Sequence, residues 1–163
     1  MTPSDLLGSE QPLQRAYDAA LVDLDGVAYR GPHAIPTAPP ALAAARAAGM
    51  RIVFVTNNAS REPGTVADHL SSLEIPASED EVMTAAQAAA ALMLESVPAG
   101  ARVLVVGGAG LRTAVTQAGY VIVGSAEDAP DAVVQGFSPD VSWNDLAEAS
   151  YAIAAGARYF ASN

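Results

Sequence analysis

Short apolar runs alternate with alanine-rich amphipathic stretches along most of this chain, and this alternation constrains the fold more than any other feature. Strands separated by helices of about ten residues are typical of βαβ units, whose strands form a parallel sheet. Because the apolar runs carry few polar residues on either face, we expect helices on both sides of the sheet. The predicted strands are Ala19–Leu24, Ile52–Val55, Val103–Val106, Val121–Val123, Ala132–Gln135 and Arg158–Phe160. The predicted helices are Pro39–Ala48, Pro63–Leu73, Ala85–Leu94, Leu111–Ala118 and Trp143–Ala155.

Charge and composition exclude several classes of partner. The 163 residues include 18 acidic and 8 basic side chains, which gives a formal net charge of −10. Such a surface repels nucleic acid and anionic membranes, and no apolar run approaches the roughly 18 residues of a membrane span. The chain has no cysteine, so it forms no disulfides and no thiolate metal sites. We expect a soluble, cytoplasmic protein with a flexible tail over residues 1–16, and the sequence leaves a homo-oligomer open.

Two carboxylates follow the first predicted strand. Asp23 and Asp25 are separated by one residue, and Gly26 comes next. In a parallel α/β sheet, ligands bind beyond the carboxyl ends of the strands, which is where these acids fall. One carboxylate could attack an electrophile while the other transfers a proton. Taken alone, the pair is more typical of a solvated turn at a strand end.

A second polar segment follows the next strand and favours the functional interpretation. Residues 56–61 read Thr-Asn-Asn-Ala-Ser-Arg and directly precede a predicted helix. A hydroxyl group, two amides and unpaired backbone N–H groups at such a position suit the binding of oxyanions. The alternative is a polar turn in which Ser60, ahead of Glu62 and Pro63, caps the helix.

The order of these two motifs carries a family resemblance. Val22–Val27 followed by Phe54–Asn58 resembles the haloacid dehalogenase superfamily, and more closely its NagD and 4-nitrophenylphosphatase-like branch of large-cap phosphatases. The further stretches that resemble this branch are Val82–Gln87, Arg102–Gly107, Asp131–Gly136 and Trp143–Ala149. The resemblance implies a Rossmann-like parallel-sheet core with an inserted α/β cap domain. It assigns residues 17–84 to the core and residues 85–163 to the first part of the cap.

The resemblance also implies a mechanism. Asp23 would be the nucleophile that forms an aspartyl-phosphate, and Asp25 would be the general acid and base. Mg²⁺ would be held by Asp23 and Asp25, and the substrate would be a small phosphorylated metabolite, with glycerol 3-phosphate as the first candidate. The residues implied in binding phosphate or substrate are Leu24, Gly26, Thr56, Asn57, Asn58 and Arg61.

The chain departs from the family in its basic residues. The family also uses a lysine that steadies the phosphate and a later acidic motif that completes the metal site. All eight basic residues of this chain are arginines, and no segment resembles the acidic motif. We therefore expect a truncated enzyme that is inactive alone.

Two other functions remain open from the sequence. Gly108 and Gly110 follow the strand Val103–Val106 and begin a pattern used by dinucleotide-binding domains, although Thr113 occupies its third small position. A tight strand-to-helix turn is the favoured role of these glycines. A non-catalytic binding module is the other alternative. His33 and His69 are far apart and are interpreted as surface or helix residues rather than metal ligands.

Overall fold

The computed structural model describes residues 11–163, so most of the predicted tail lies outside the described residues. Over this range, no helix is both long and apolar enough to cross a membrane. The strands are β1 (Ala19–Asp23), β2 (Tyr29–Arg30), β3 (His33–Ala34), β4 (Arg51–Thr56), β5 (Val82–Thr84), β6 (Arg102–Val106), β7 (Val121–Val123), β8 (Ala132–Gln135) and β9 (Arg158–Ala161). The α-helices are α1 (Ala38–Ala47), α2 (Pro63–Ser72), α3 (Ala85–Met93), α4 (Ala109–Gln117) and α5 (Trp143–Ala154). All six predicted strands and all five predicted helices are confirmed, with ends that differ by at most two residues.

The first α/β unit is a three-stranded parallel sheet in the order β1-β4-β5. Its core contains Phe54 and Ile52 of β4, together with apolar side chains from α1 and α2. Because β1 and β4 are parallel neighbours with Asp23 opposite Val55, both polar segments begin at the same edge of this sheet. This register positions the site described below.

The second α/β unit is a four-stranded parallel sheet in the order β7-β6-β8-β9. Alternate residues of β6 enter different clusters, because successive side chains of a strand point to opposite faces. Val103 and Val105 pack in a cluster with α3 and α4, whereas Leu104 and Val106 pack with α5. Helices therefore cover both faces of this sheet, as the apolar strands predict.

Coverage of the first sheet differs from the prediction. Ile52 and Phe54 face α1 and α2 and are buried, but the opposite face is open among the described residues. On that face Leu21 is 77% exposed and Met83 is 45% exposed. The physical reason is that α1 and α2 both contribute to the single cluster around Phe54, so neither packs against the other face.

One strand and one hairpin were not predicted. β5 has only three residues and follows a polar turn, so it lacks the length that makes a strand recognisable in sequence. β2 and β3 form a two-residue hairpin in which Tyr29 pairs with Ala34. Both elements lie close to the predicted site.

An ion pair joins α1 to the segment that leads into β5. Arg46 donates through Nη1 to Glu81 Oε1 at 2.6 Å and through Nη2 to Glu81 Oε2 at 2.9 Å. Arg46 also donates to the carbonyl oxygen of Pro76 at 3.1 Å. The hydrogen bond from Arg46 lowers the pKa of Glu81 below its ordinary value. A bidentate ion pair of this kind is stronger than an ordinary ion pair at the protein surface.

We expect Glu81→Gln to lower the free energy of unfolding by about 1 kcal/mol at neutral pH, after allowance for solvent screening. Because the folded-state pKa of Glu81 is lowered, its contribution is present above the unfolded pKa of roughly 4.3 and is lost as the pH falls through the folded value. Urea denaturation at pH 7 and at about pH 3 measures the difference. Glu95→Gln, at an exposed position, is the control and should change stability little at either pH. An equal loss from Glu81→Gln at both pH values would contradict this account.

Candidate active site

The carboxyl ends of β1 and β4 bring the two polar segments together. After Asp23 the chain turns at Leu24, whose carbonyl oxygen accepts hydrogen bonds from Ala28 N at 2.9 Å and Tyr29 N at 3.1 Å. Gly26 has a φ of 83°, a conformation that side chains with a Cβ rarely adopt. This turn leads into the β2–β3 hairpin, which lies beside the end of β4.

A pocket of about 370 Å³ opens at this edge of the sheet. Five predicted site residues line it: Asp25, Thr56, Asn57, Asn58 and Arg61. A cleft of the same volume lies at the opposite end of the sheet around Arg46 and Arg51, but its Arg46 is already paired with Glu81. The pocket beside β1 and β4 is therefore the candidate active site.

The other three predicted residues lie beside the pocket rather than in its lining. Asp23 ends β1, and its Oδ1 accepts a hydrogen bond from Leu24 N at 2.8 Å, which orients the carboxylate. The side chain of Leu24 is fully buried in the core of the first unit. The backbone N–H of Gly26 donates to the carbonyl oxygen of Tyr29 at 2.8 Å. The backbone N–H groups of Leu24 and Gly26 are thus both hydrogen-bonded within the turn.

The hydrogen bonds of the second motif fix its loop. The hydroxyl oxygen of Thr56 accepts from Asn58 N at 3.1 Å, so the hydroxyl hydrogen can be directed elsewhere. The Oδ1 atom of Asn58 accepts from Ser60 N at 2.8 Å and from Ser60 Oγ at 2.7 Å. Helix α2 begins at Pro63 with Glu62 at its N-cap position, so the prediction that Ser60 caps this helix is wrong.

Sequence reasoning missed a second wall of the pocket. Tyr29 and Pro32 from the hairpin and His69 from α2 also line it. The rings of Tyr29 and His69 meet edge to face, with centroids 5.0 Å apart. The sequence predicts only a surface or helix residue at His69, because the two histidines are far apart and have no fixed acidic partner. No spacing rule links His69 to Tyr29.

Tyr29 reports the electrostatics of the site. Burial raises its pKa above the ordinary value, and the negative charges of Asp25 and Asp23 raise it further. The positive charge of Arg61 acts in the opposite direction and lowers it. Both aspartates and the arginine therefore influence one phenol group, which places Asp23 in the electrostatic environment of the pocket.

The glycines of the dinucleotide-like motif have another role. A Cβ atom on Gly110 would lie 2.3 Å from the carbonyl oxygen of Arg61, and one on Gly108 would lie 3.0 Å from that of Ser60. These glycines let the start of α4 touch the loop after β4. This close approach of two backbones accounts for both glycines without a bound phosphate. The dinucleotide-binding interpretation is not supported.

Comparison with known proteins identifies the family. Residues 20–121 match the haloacid dehalogenase-like hydrolases, and the chain belongs to this family. It is 44% identical to the D-glycerol 3-phosphate phosphatase of Mycobacterium tuberculosis over 93% of this chain and 42% of that protein. It is 36% identical to the acid sugar phosphatase of Staphylococcus aureus over 91% of this chain and 56% of that protein. The chain therefore spans about half the length of these relatives.

The fold also agrees with solved structures. The glycerol phosphate phosphatase from Mycobacterium tuberculosis in complex with magnesium superposes with a TM-score of 0.89 at 43% sequence identity. The superposition covers 94% of this chain and 46% of that one. The parallel-sheet α/β fold and the resemblance to large-cap phosphatases are thereby confirmed.

The electrostatic arrangement can be tested through Tyr29. We expect Arg61→Gln to raise the pKa of Tyr29, because the guanidinium group no longer stabilises the phenolate, and Asp25→Asn to lower it. Titration of the Tyr29 ring signals by NMR measures both shifts. Arg112→Gln is the control, since Arg112 lines a different pocket in the second unit. Shifts of the opposite sign would show that the pocket is assembled differently.

Proposed function

We propose that the whole protein that carries this chain is a Mg²⁺-dependent phosphomonoester hydrolase with an aspartyl-phosphate intermediate. One observation carries the proposal: Asp25, Thr56, Asn57, Asn58 and Arg61 line a single pocket beside Asp23. The two carboxylates provide a nucleophile and a proton carrier, and the second motif provides hydrogen-bond donors for an oxyanion. Phosphoryl transfer needs this combination, because positioning and charge stabilisation account for most of its catalysis.

Asp23 is proposed as the nucleophile. Its Oδ1 accepts a hydrogen bond from Leu24 N, which holds the carboxylate in one orientation at the end of β1. A carboxylate oxygen attacks phosphorus, the bond from phosphorus to the ester oxygen breaks, and the leaving alkoxide receives a proton from Asp25. Asp25 then takes a proton from the water that hydrolyses the aspartyl-phosphate, which releases inorganic phosphate and restores Asp23.

Donors from the second motif are proposed to hold the phosphoryl oxygens. The hydroxyl group of Thr56 can donate because its oxygen accepts from Asn58 N and its hydrogen is free to rotate. The backbone N–H of Asn57 and the guanidinium group of Arg61 add further donors at the same pocket. Arg61 also offsets part of the negative charge contributed by Asp23 and Asp25.

The oxygen atoms of the site suit Mg²⁺. We propose that the Asp23 carboxylate and the backbone carbonyl of Asp25 hold the ion, which supplies charge neutralisation when bound. Residues 11–163 contain no cluster of three or more metal-ligating side chains. One side-chain carboxylate and one backbone carbonyl suit Mg²⁺, which commonly uses one or two carboxylates and completes its octahedral shell with water and phosphate oxygens.

We propose a small phosphomonoester as the substrate, with glycerol 3-phosphate first. The support comes from the names of the relatives and from the pocket volume of about 370 Å³, which suits a small ligand. We also assign residues 17–84 to the hydrolase core and residues 85–163 to the first part of the cap. In support, the first sheet ends at Thr84, and α3 packs in the apolar cluster of the second sheet.

We expect Asp23→Asn to abolish phosphate-ester hydrolysis by the whole protein without changing its fold, because an amide is a far weaker nucleophile. Asp25→Asn should retain substrate binding but slow turnover by roughly 10²–10⁴-fold, since both proton transfers lose their carrier. Phosphate release and circular dichroism measure the two properties. Asp68→Asn, at an exposed position on α2, should behave as the unaltered protein. Full turnover by Asp23→Asn would refute the assignment.

Metal and substrate are tested together. Activity should require Mg²⁺ and vanish when a chelator removes it, because the dianionic phosphate and the carboxylates otherwise repel one another. In a panel of phosphomonoesters, glycerol 3-phosphate should have the highest kcat/KM. If glycerol 3-phosphate is hydrolysed no better than unrelated esters, it is not the preferred substrate. Hydrolysis that continues in the presence of the chelator would contradict the requirement for Mg²⁺.

A further inference from the structure

The loop after β4 is anchored in the second α/β unit. Ala59 is only 2% exposed and belongs to the apolar cluster that contains Val103, Leu111 and Val134 of the second unit. The backbone N–H of Gly110 donates to the carbonyl oxygen of Ser60 at 3.2 Å. Thr113 of α4 donates from its hydroxyl group to the carboxylate of Glu62. Three residues of this connection, Ala59, Ser60 and Glu62, therefore contact the second unit.

Glycine is required at the closest of these contacts. A Cβ atom on Gly110 would lie 2.3 Å from Arg61 O, 2.6 Å from Arg61 C and 2.9 Å from Ala59 O. These distances are far shorter than ordinary non-bonded contacts, and all three atoms are backbone atoms that cannot rotate away. A glycine inside a helix costs stability relative to alanine, so its place in the first turn of α4 needs a packing reason. The approach of the loop supplies that reason.

Ser60 connects this anchor to the pocket. Its carbonyl oxygen is held by Gly110, while its N–H and hydroxyl groups both donate to Asn58 Oδ1. A backbone N–H can only donate, so the atom of Asn58 that faces Ser60 is the oxygen. The Nδ2 group of Asn58 is then the amide atom that does not face Ser60. Asn58 itself lines the pocket.

We propose that Ser60 and Gly110 are positioning residues, through which the second α/β unit fixes the amide of Asn58 as a hydrogen-bond donor toward the phosphoryl group. This inference rests on the proposed function. Loss of either donor from Ser60 weakens the hold on Oδ1, so the amide can rotate and present Oδ1 to the phosphate. An acceptor facing an oxyanion is repulsive. The second unit therefore sets the donor pattern of the pocket without contributing a side chain to it.

The orientation of Asn58 is tested first, in the chain without phosphate or Mg²⁺. The two side-chain N–H signals of Asn58 are observed by ¹⁵N-resolved NMR in the unaltered chain and in four variants. Ser60→Ala removes one donor, and Gly110→Ala displaces the backbone that carries both. Ser60→Thr keeps the hydroxyl group, and Gly124→Ala adds a methyl group where nothing lies within 4 Å. We expect Ser60→Ala and Gly110→Ala to shift the Asn58 signals, and Ser60→Thr and Gly124→Ala to leave them in place.

Binding of inorganic phosphate in the presence of Mg²⁺ is measured next by titration of the whole protein with the same substitutions. Ser60→Ala and Gly110→Ala should weaken binding by roughly tenfold or more, the effect of losing one charge-assisted hydrogen bond. The conservative variant Ser60→Thr should bind phosphate as the unaltered whole protein does, and so should Gly124→Ala.

A double-mutant cycle separates positioning from general destabilisation. Asn58→Asp keeps an oxygen for Ser60 but removes the N–H donors that phosphate would use. In that background Ser60 has no donor left to orient, so adding Ser60→Ala should weaken phosphate binding by far less than it does alone. A merely structural effect of Ser60→Ala would be of the same size in both backgrounds, and that result would overturn the inference.

The outcomes also separate this inference from the proposed function. Unchanged Asn58 signals in both Ser60→Ala and Gly110→Ala would overturn the positioning role, whether or not phosphate binds. Changed Asn58 signals, together with a whole protein that never binds phosphate, would support the positioning of the amide and contradict the proposed function. If Gly110→Ala unfolds, Ser60→Ala and the cycle still decide the question, because neither adds bulk at the contact.

Discussion

The burial of Ala59 in the apolar cluster of the second α/β unit is the contact on which the site depends. The loop from Thr56 to Arg61 leaves a strand of the first sheet, yet its middle residue packs in the core of the second unit. Polar residues before Ala59 line the pocket, and so does Arg61 after it. Because the loop is held at its centre, the hydrogen-bond donors before and after Ala59 have little conformational freedom. Preorganised donors are what a site for a charged phosphoryl group requires.

Much of the fold was predictable because each element carries a local signal. The strands are continuous apolar runs, and α5 begins with Ser142 and Asp145 in a reciprocal capping box that the structure contains. The short strand β5 and the β2–β3 hairpin had no such signal, since two or three residues cannot establish a period. The open face around Leu21 was missed because an apolar strand does not reveal on which side its helices pack.

The candidate site was predictable in part for the same reason. Asp25, Thr56, Asn57, Asn58 and Arg61 stand directly after strands, and the parallel register brings strand ends together. Tyr29 and His69 were missed because their contact joins a hairpin to a helix, which no sequence period describes. The role of Gly108 and Gly110 was also hidden, because the pattern that suggests a phosphate-binding turn equally suits close packing of two backbones.

The central claim is that Asp23 accepts the phosphoryl group, and trapping of the covalent intermediate tests it most directly. The whole protein is mixed with substrate and Mg²⁺, quenched within milliseconds and treated with borohydride, which reduces an aspartyl-phosphate to homoserine. Peptide mass spectrometry then locates the modified residue. The account predicts homoserine at position 23, absent from a sample prepared without substrate. Modification of Asp25 instead, or turnover with no modified aspartate, would contradict it.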